Sequence, residues 1–269
     1  MTKPAPAGRR PKLGQFRMAE QVADVLRERI LTGLAEGAPL PKQDEIVAEF
    51  GVSYPSVRES LRILETEGLI SIRRGNVGGA VVHPPGAATA GYSLGIALQA
   101  NAVDVADLAR ALAVLEPMSA ARCAAREDRG DTVVPVLDAL LEASEQALDD
   151  PVEFTRLSRE FHEAITRYDD NATLRLVVRG LSSLWSAQEE TWAEASSARG
   201  AYPEMEKRQD VLRAHRRITE EITRGHAQAA ERVARTHIEA TQAVVLPAVG
   251  DAIVDAASRR ARQHFRSLG

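Results

Sequence analysis

Apolar positions between residues 16 and 33 fall at Met18, Val22, Val25, Leu26 and Ile30, a helical spacing that stops near Gly33. A turn-rich connector, Glu36 to Pro41, follows. Residues 43–50 predict a short helix with Ile46, Val47 and Phe50 on its inner face, ended by Gly51. A third helix opens at an N-cap, Ser53 or alternatively Ser56, buries Val57, Leu61 and Leu64, and closes at Gly68. The period then changes to two. Leu69 to Ile72 reads as a strand, Arg73 to Gly79 as a hairpin tip and Ala80 to Val82 as the return strand. Pro84-Pro85-Gly86 breaks all periodicity. Beyond it the pattern is helical throughout, over about 92–99, 104–127, 131–148, 151–168, 172–196, 204–224, 226–246 and 250–265. Short links between these segments predict an antiparallel bundle.

These periods predict a mostly α chain: a disordered arm over residues 1–15, a winged helix-turn-helix over 16–84, a linker over 85–91 and an all-helical domain over 92–269. Composition agrees. Apolar residues make up 44% and charged residues 27%, a globular balance, and with aromatics at only 4% the core must come from Leu, Val, Ile and Ala. The single Cys123, in an Ala-rich helix, suits a small core residue in a reducing, cytoplasmic setting. No apolar run is long enough for a membrane span, and the polar N-terminus does not read as a secretory signal.

Net charge is −4, unevenly spread: residues 1–85 carry 12 basic and 10 acidic side chains, the remainder 22 and 28. A slightly basic head on an acidic body suits a head that meets phosphate. Arg9, Arg10 and Lys12 in the arm could touch a polyanion or simply be solvated. In a winged helix-turn-helix the third helix enters the major groove and its N-terminal half must present polar groups. That face offers Ser53, Tyr54, Ser56 and Arg58, with Arg62 one turn on. Lys42 precedes the second helix, and the hairpin tip adds Arg73, Arg74, Gly75 and Asn76. These ten residues are the candidate contacts to double-stranded operator DNA.

The stretch GVSYPSVRESLRILETEGLI, with Leu40-Pro41 before it and Gly75 to Gly79 after it, resembles the GntR family of bacterial regulators. The resemblance implies operator binding as a homodimer, with Arg58 on the DNA and the wing in the minor groove. Two positions depart from the family habit. Tyr54 and Asp44 stand where Arg is common, so operator preference should differ, with Lys42 compensating in part.

Three of the six histidines lie on apolar helices: His162 beside Phe161 and Ile165, His215 with Leu212 and Ile218, His237 with Val233 and Ile238. His215 and His237 sit 10 and 12 residues either side of Gly225. At about 1.5 Å per residue they stand level in a helical hairpin. Facing imidazoles in a bundle hold divalent metals, although each taken alone reads first as an ordinary hydrogen-bonded helix residue. About residues 100–245 resemble the FCD effector domain of the FadR-type branch, through Leu115-Glu116-Pro117, Glu160-Phe161-His162, Asn171 and the His215/His237 pair. This implies a metal, Zn²⁺ or Ni²⁺, on His162, His215 and His237 beside an effector pocket. Ser158 replaces the usual Asp ligand and Leu112 the usual effector-binding Arg. Ser158, Leu112 and nearby Arg110 are therefore the candidate effector contacts. An anionic effector could complete the metal, or the metal could have been lost.

The sequence thus predicts a ligand-responsive regulator, a repressor answering to an organic acid or related metabolite, and not an enzyme. The alternative is a metal-dependent hydrolase using the same three histidines. It lacks the HExxH pattern, since His162-Glu163 runs on into Ala164-Ile165-Thr166, and no GxSxG or phosphate loop is present.

Overall fold

The computed structural model describes residues 13–73, 79–83 and 85–267. The sequence-derived candidates Arg9, Arg10, Lys12, Arg74, Gly75 and Asn76 lie outside the described residues, as does the side chain of Arg73. The chain divides after residue 85 into two compact units.

The first unit contains α1 (Leu13–Gly33), α2 (Gln43–Phe50), α3 (Tyr54–Thr66) and an antiparallel pair, β1 (Ile70–Arg73) with β2 (Gly79–Val82), Ile72 opposite Ala80. Its core joins Val22, Leu26 and Ile30 of α1, Ile46 of α2, Val57, Leu61 and Leu64 of α3, and Ile70 and Val82 of the hairpin. The buried stripe of α1 is Ala19, Val22/Ala23, Leu26 and Ile30. Met18 and Val25, predicted within that stripe, lie on its exposed flank. Ala19 and Ala23 are fully buried within that stripe. The connector is also more ordered than its composition suggests. Leu40 N–H donates to the Ala80 carbonyl (2.8 Å) and Val82 N–H to the Ala38 carbonyl (2.9 Å). Buried Leu40 is thereby zipped along the hairpin, with Pro39 and Pro41 beside it.

The turn between α2 and α3 is tight because Gly51 takes φ +63°, the left-handed region open to glycine. Ser53 then caps α3, its hydroxyl accepting from Ser56 N–H at 3.4 Å, with Pro55 in the first turn. Glu65 Oε1 accepts from Ile72 N–H at 3.0 Å, fastening β1 to α3.

The second unit is all helical: α4 (Ala87–Ala100), α5 (Val105–Ala125), α6 (Val133–Gln146), α7 (Pro151–Arg167), α8 (Ala172–Ala198), α9 (Met205–Arg224), α10 (Ala227–Val249) and α11 (Arg259–Ser267). Side-chain caps set several starts. Asp104 accepts from Asp107 N–H (2.6 Å), Asp150 from Val152 and Glu153 N–H (3.1 Å each), and Asn171 from Leu174 N–H (3.0 Å). Pro117 inside α5 deprives the Ala113 carbonyl of its helical donor, and Arg235 Nη1 of α10 supplies one at 2.9 Å.

Two expectations change here. α4 begins at Ala87, directly after the Pro-Gly break, so most of the predicted linker is helix. Residues 250–258, predicted helical, instead form turns on either side of a short segment that bridges to the start of α5 through Asp104 and Ile253. Val105 N–H donates to the Ala252 carbonyl (2.9 Å) and Val254 N–H to the Val103 carbonyl (3.0 Å). Chain-local periodicity cannot reveal such a pairing across 150 residues.

α4 crosses α8 where Gly91 and Gly180 meet. A Cβ on Gly180 would lie 2.8 Å from the Gly91 Cα, a backbone atom. Gly180→Ala is therefore expected to destabilise the chain by about 1–3 kcal/mol or more in urea unfolding. Gly130→Ala, where an added methyl meets nothing, should stay within about 0.5 kcal/mol of wild type. Equal stabilities would contradict the close crossing.

Candidate functional site

α7, α9 and α10 bring His162, His215 and His237 together. Their Nε2 atoms form a triangle with sides of 3.3 Å (162–215), 3.2 Å (162–237) and 2.9 Å (215–237). The Gly225 turn does place His215 and His237 level across the α9–α10 hairpin. His215 is 1% exposed and stacks on Phe161, ring centroids 4.1 Å apart and 12° from parallel. His237 is 5% exposed.

From α5, Glu116 Oε1 lies 2.8 Å from His162 Nδ1. With the proton on Nδ1 donated to that carboxylate, His162 Nε2 presents a lone pair to the triangle. Burial works to lower the His162 pKa, but the Glu116 charge and hydrogen bond, with help from Glu189, hold it above the ordinary value. Burial and the neighbouring imidazoles depress the other two, His237 to about 3 and His215 well below its usual value. Both are neutral imidazoles at physiological pH.

Protons alone cannot satisfy this triangle, since three close contacts would share at most two donors. The arrangement does fit a cation. Nitrogens bound at about 2.0–2.1 Å to one tetrahedral or octahedral ion stand about 2.9–3.4 Å apart, which spans the observed sides. Three imidazole nitrogens suit Zn²⁺ or Ni²⁺, and the Glu116–His162 pair is the usual outer support of such a ligand. The set carries no anion of its own. Half-buried Ser158, one turn before His162, offers only a hydroxyl.

Two cavities flank the cluster. The larger, about 920 Å³, is lined among others by Leu112, Glu116, Ser158, Arg159 and His162; the smaller, about 710 Å³, reaches His237. Of the candidate effector contacts, Leu112 and Ser158 face the larger cavity. Arg110 joins neither; it is exposed and paired with Asp107 at 2.7 Å. The helix period puts Arg110 about 200° from Leu112, on the opposite side of α5.

Sequence reasoning missed Arg159 and Glu189. Arg159 Nη1 donates to the Ser186 carbonyl (3.1 Å), while its Nε is buried with no acceptor. Glu189 is 8% exposed and faces both cavities; burial, against the pull of Arg159, raises its pKa. The arginines of α7 look alike in sequence, and only the packing tells which points inward. Cys123 is buried, donates to the Ile165 carbonyl (3.2 Å) and has its thiol pushed up to about 12 by burial, which leaves no reactive thiolate.

In the first unit, Tyr54, Arg58 and Arg62 are exposed along α3. The Tyr54 hydroxyl donates to Asp44 Oδ1 (2.9 Å), and Arg62 is held by Glu59 (2.7 Å). Arg58 makes no ion pair with any described residue, its sequence neighbours Glu59 and Glu65 being engaged with Arg62 and the Ile72 amide. Lys42 is exposed beside α2, and its backbone N–H donates to Glu45. Ser56, predicted on the reading face, instead turns inward at 4% exposure, its hydroxyl 3.0 Å from that of Ser53. A residue three past the cap falls over the α3 core line of Val57, Ser60 and Leu64.

Residues 18–81 match the profile described as bacterial regulatory proteins, gntR family, and residues 107–240 match the FCD domain. The chain is 32% identical over 170 residues to the HTH-type transcriptional repressor NanR of Klebsiella aerogenes, covering 61% of this chain and 63% of that protein. It is 33% identical over 171 residues to NanR of Cronobacter sakazakii, with coverage of 61% and 63%. The match thus spans about three fifths of these curated relatives. Streptococcus agalactiae GntR shares the fold at TM-score 0.60 and 24% identity, over 84% of this chain and 99% of that one. Among the described residues no helix is long and apolar enough to cross a membrane. The matched family and named relatives are regulators rather than hydrolases. The two profiles fall in the two compact units, so the chain carries a gntR-family domain ahead of an FCD domain.

Proposed function

We propose that this chain is a homodimeric transcriptional repressor whose operator affinity is set by a small organic anion bound in the helical unit beside a divalent metal. The observation that carries this reading is the three-histidine cluster beside a cavity of about 920 Å³, in a chain whose other unit exposes on its third helix an Arg58 without an ion pair among the described residues. His162, His215 and His237 would hold Zn²⁺ or Ni²⁺. When bound, the ion supplies a positive charge and an open coordination position for an anionic ligand. Arg159, on the wall of the same cavity, offers a second cation to that ligand. Ser158 and Leu112 shape the pocket around it. On DNA, Lys42, Ser53, Tyr54 and Arg58 form the proposed contact set, with Arg62 released from Glu59 and with Arg73, Arg74, Gly75 and Asn76 of the wing. No catalytic role is assigned to any residue.

The direct test is operator affinity with and without candidate organic acids on the metal-loaded protein. A change of at least about fivefold is expected, the usual lower bound of allosteric coupling; invariance across a broad acid panel would contradict the sensor reading. The dimer is tested separately. One recognition helix reads only a few base pairs, whereas a two-fold pair spans two half-sites. Sedimentation is expected to show a dimer at micromolar concentration, and a monomer both with and without DNA would remove this part of the proposal.

A further inference from the structure

The smaller chamber of about 710 Å³ shares only Ser158, Glu189 and Thr241 with the larger one and has its own chemistry. Trp192 and Tyr202 line it, ring centroids 5.4 Å apart and tilted by 42°. The Arg208 guanidinium lies 5.9 Å from the Tyr202 ring centroid. Its Nε and Nη1 are both buried and neither meets an acceptor. A buried guanidinium donor left unpaired is costly and calls for an acceptor that the chain does not provide. Tyr202 does not provide it: its hydroxyl turns to the Thr155 hydroxyl at 2.6 Å and is a partner of neither nitrogen. At the rim Asp210 is taken up by Arg213 and Lys207. Cations outnumber acids five to two along the lining, so the field inside favours an anion. One of the two acids, Glu189, is weakened as a counter-charge because burial favours its neutral form.

We propose that this chamber is a second ligand site that binds a planar aromatic carboxylate, its ring against Trp192 and Tyr202 and its carboxylate accepting from Arg208. Arginine and carboxylate make the stronger class of hydrogen bond, the guanidinium over Tyr202 is already oriented by the ring, and the volume lies in the range that encloses small-molecule ligands. His237 also lines this chamber, but the proposed contacts are Trp192, Tyr202 and Arg208, and the site does not rest on the metal or on the effector reading above.

The test uses 1-naphthoate and its neutral isostere 1-naphthamide on the full chain, by calorimetry and by quenching of Trp192 in a Trp185→Phe background, since the chain has only two tryptophans. Naphthoate is expected to bind saturably, and naphthamide and the Arg208→Gln variant about tenfold or more weaker, the loss of one charge-assisted contact. Arg208→Gln should fold by circular dichroism and melt no lower than wild type, because it removes unpaired buried donors. Arg208→Lys should recover part of the affinity. Chelation and His162→Gln should leave naphthoate binding unchanged. Equal binding of acid and amide, full affinity in Arg208→Gln, or no saturable binding would each overturn the site. Loss of naphthoate on chelation would do so too, by placing the carboxylate on the metal instead.

Discussion

Zn²⁺ or Ni²⁺ is expected to raise the melting temperature of the wild-type protein by roughly 5–10 °C, and the His215→Ala/His237→Ala double variant to show no such rise. A ligand that binds only the folded state stabilises it by about 2.7 kcal/mol at a free concentration a hundredfold above its Kd. One kcal/mol moves the midpoint of a domain this size by about 2–4 °C. The triangle of Nε2 atoms exists only in the fold, because α7, α9 and α10 each contribute one corner, so the condition of folded-state binding is met. Chelation should return the wild type to its metal-free midpoint. His162→Gln, which leaves the buried α9–α10 pair intact, should weaken the response in a chain that packs as before. A metal response in the double variant equal to wild type would sink the assignment.

Acid should act in a defined window on the metal-free protein. His237, held near 3, and His215, also depressed, stay neutral in the folded state while the unfolded chain takes up protons near the ordinary value of 6.5. Their contribution is present above about 6.5 and is lost as pH falls from there toward 3. His162 works in the opposite sense: its pKa is raised beside Glu116, so its contribution is present below 6.5 and is lost as pH rises through its folded value. Two groups outweigh one, and the net expectation is a midpoint that falls on acidification.

Most of the architecture was legible because it is written locally. Period and punctuation marked α2 to within a residue through Gly51, and the helical segments predicted from 151 and 172 start where Asp150 and Asn171 cap α7 and α8. The histidine cluster was legible for a related reason. A turn at a known place converts residue counts into heights, and the apolar faces around His215 and His237 say that both point inward. What stayed hidden depends on partners far along the chain. The Ala252–Val105 pairing, the Arg235 donor to the carbonyl freed by Pro117, and the inward turns of Arg159 and Glu189 are fixed by packing between helices whose order in space a single sequence does not state. Ser56 and Arg110 fail differently. Each is a polar residue assigned to a face by type and proximity, while its helical phase sends it to another side.

The same phase argument isolates Arg58 as the reading residue of α3, and Arg58→Ala is expected to lower specific operator affinity by at least tenfold while leaving the fold intact. α3 carries two arginines among its 13 residues, and they differ in availability. Arg62 is held by Glu59, so moving it to DNA means giving up an existing ion pair. Arg58 has no such tie, stands in the N-terminal half of the helix and is exposed to solvent, so its loss removes nothing that stabilises the fold. A bidentate arginine–guanine contact is worth about 1–3 kcal/mol. In the proposed dimer both half-sites lose it, about 2–6 kcal/mol in all, which is tenfold at the least. Arg58→Lys keeps the charge but not the planar fork, so it should retain non-specific DNA binding and lose specificity. Arg62→Ala should fall less than Arg58→Ala. Fluorescence anisotropy on an operator selected from random duplexes, alongside a scrambled duplex, separates the two components. Specific affinity that is unchanged in Arg58→Ala would move the reading face off the N-terminal half of α3.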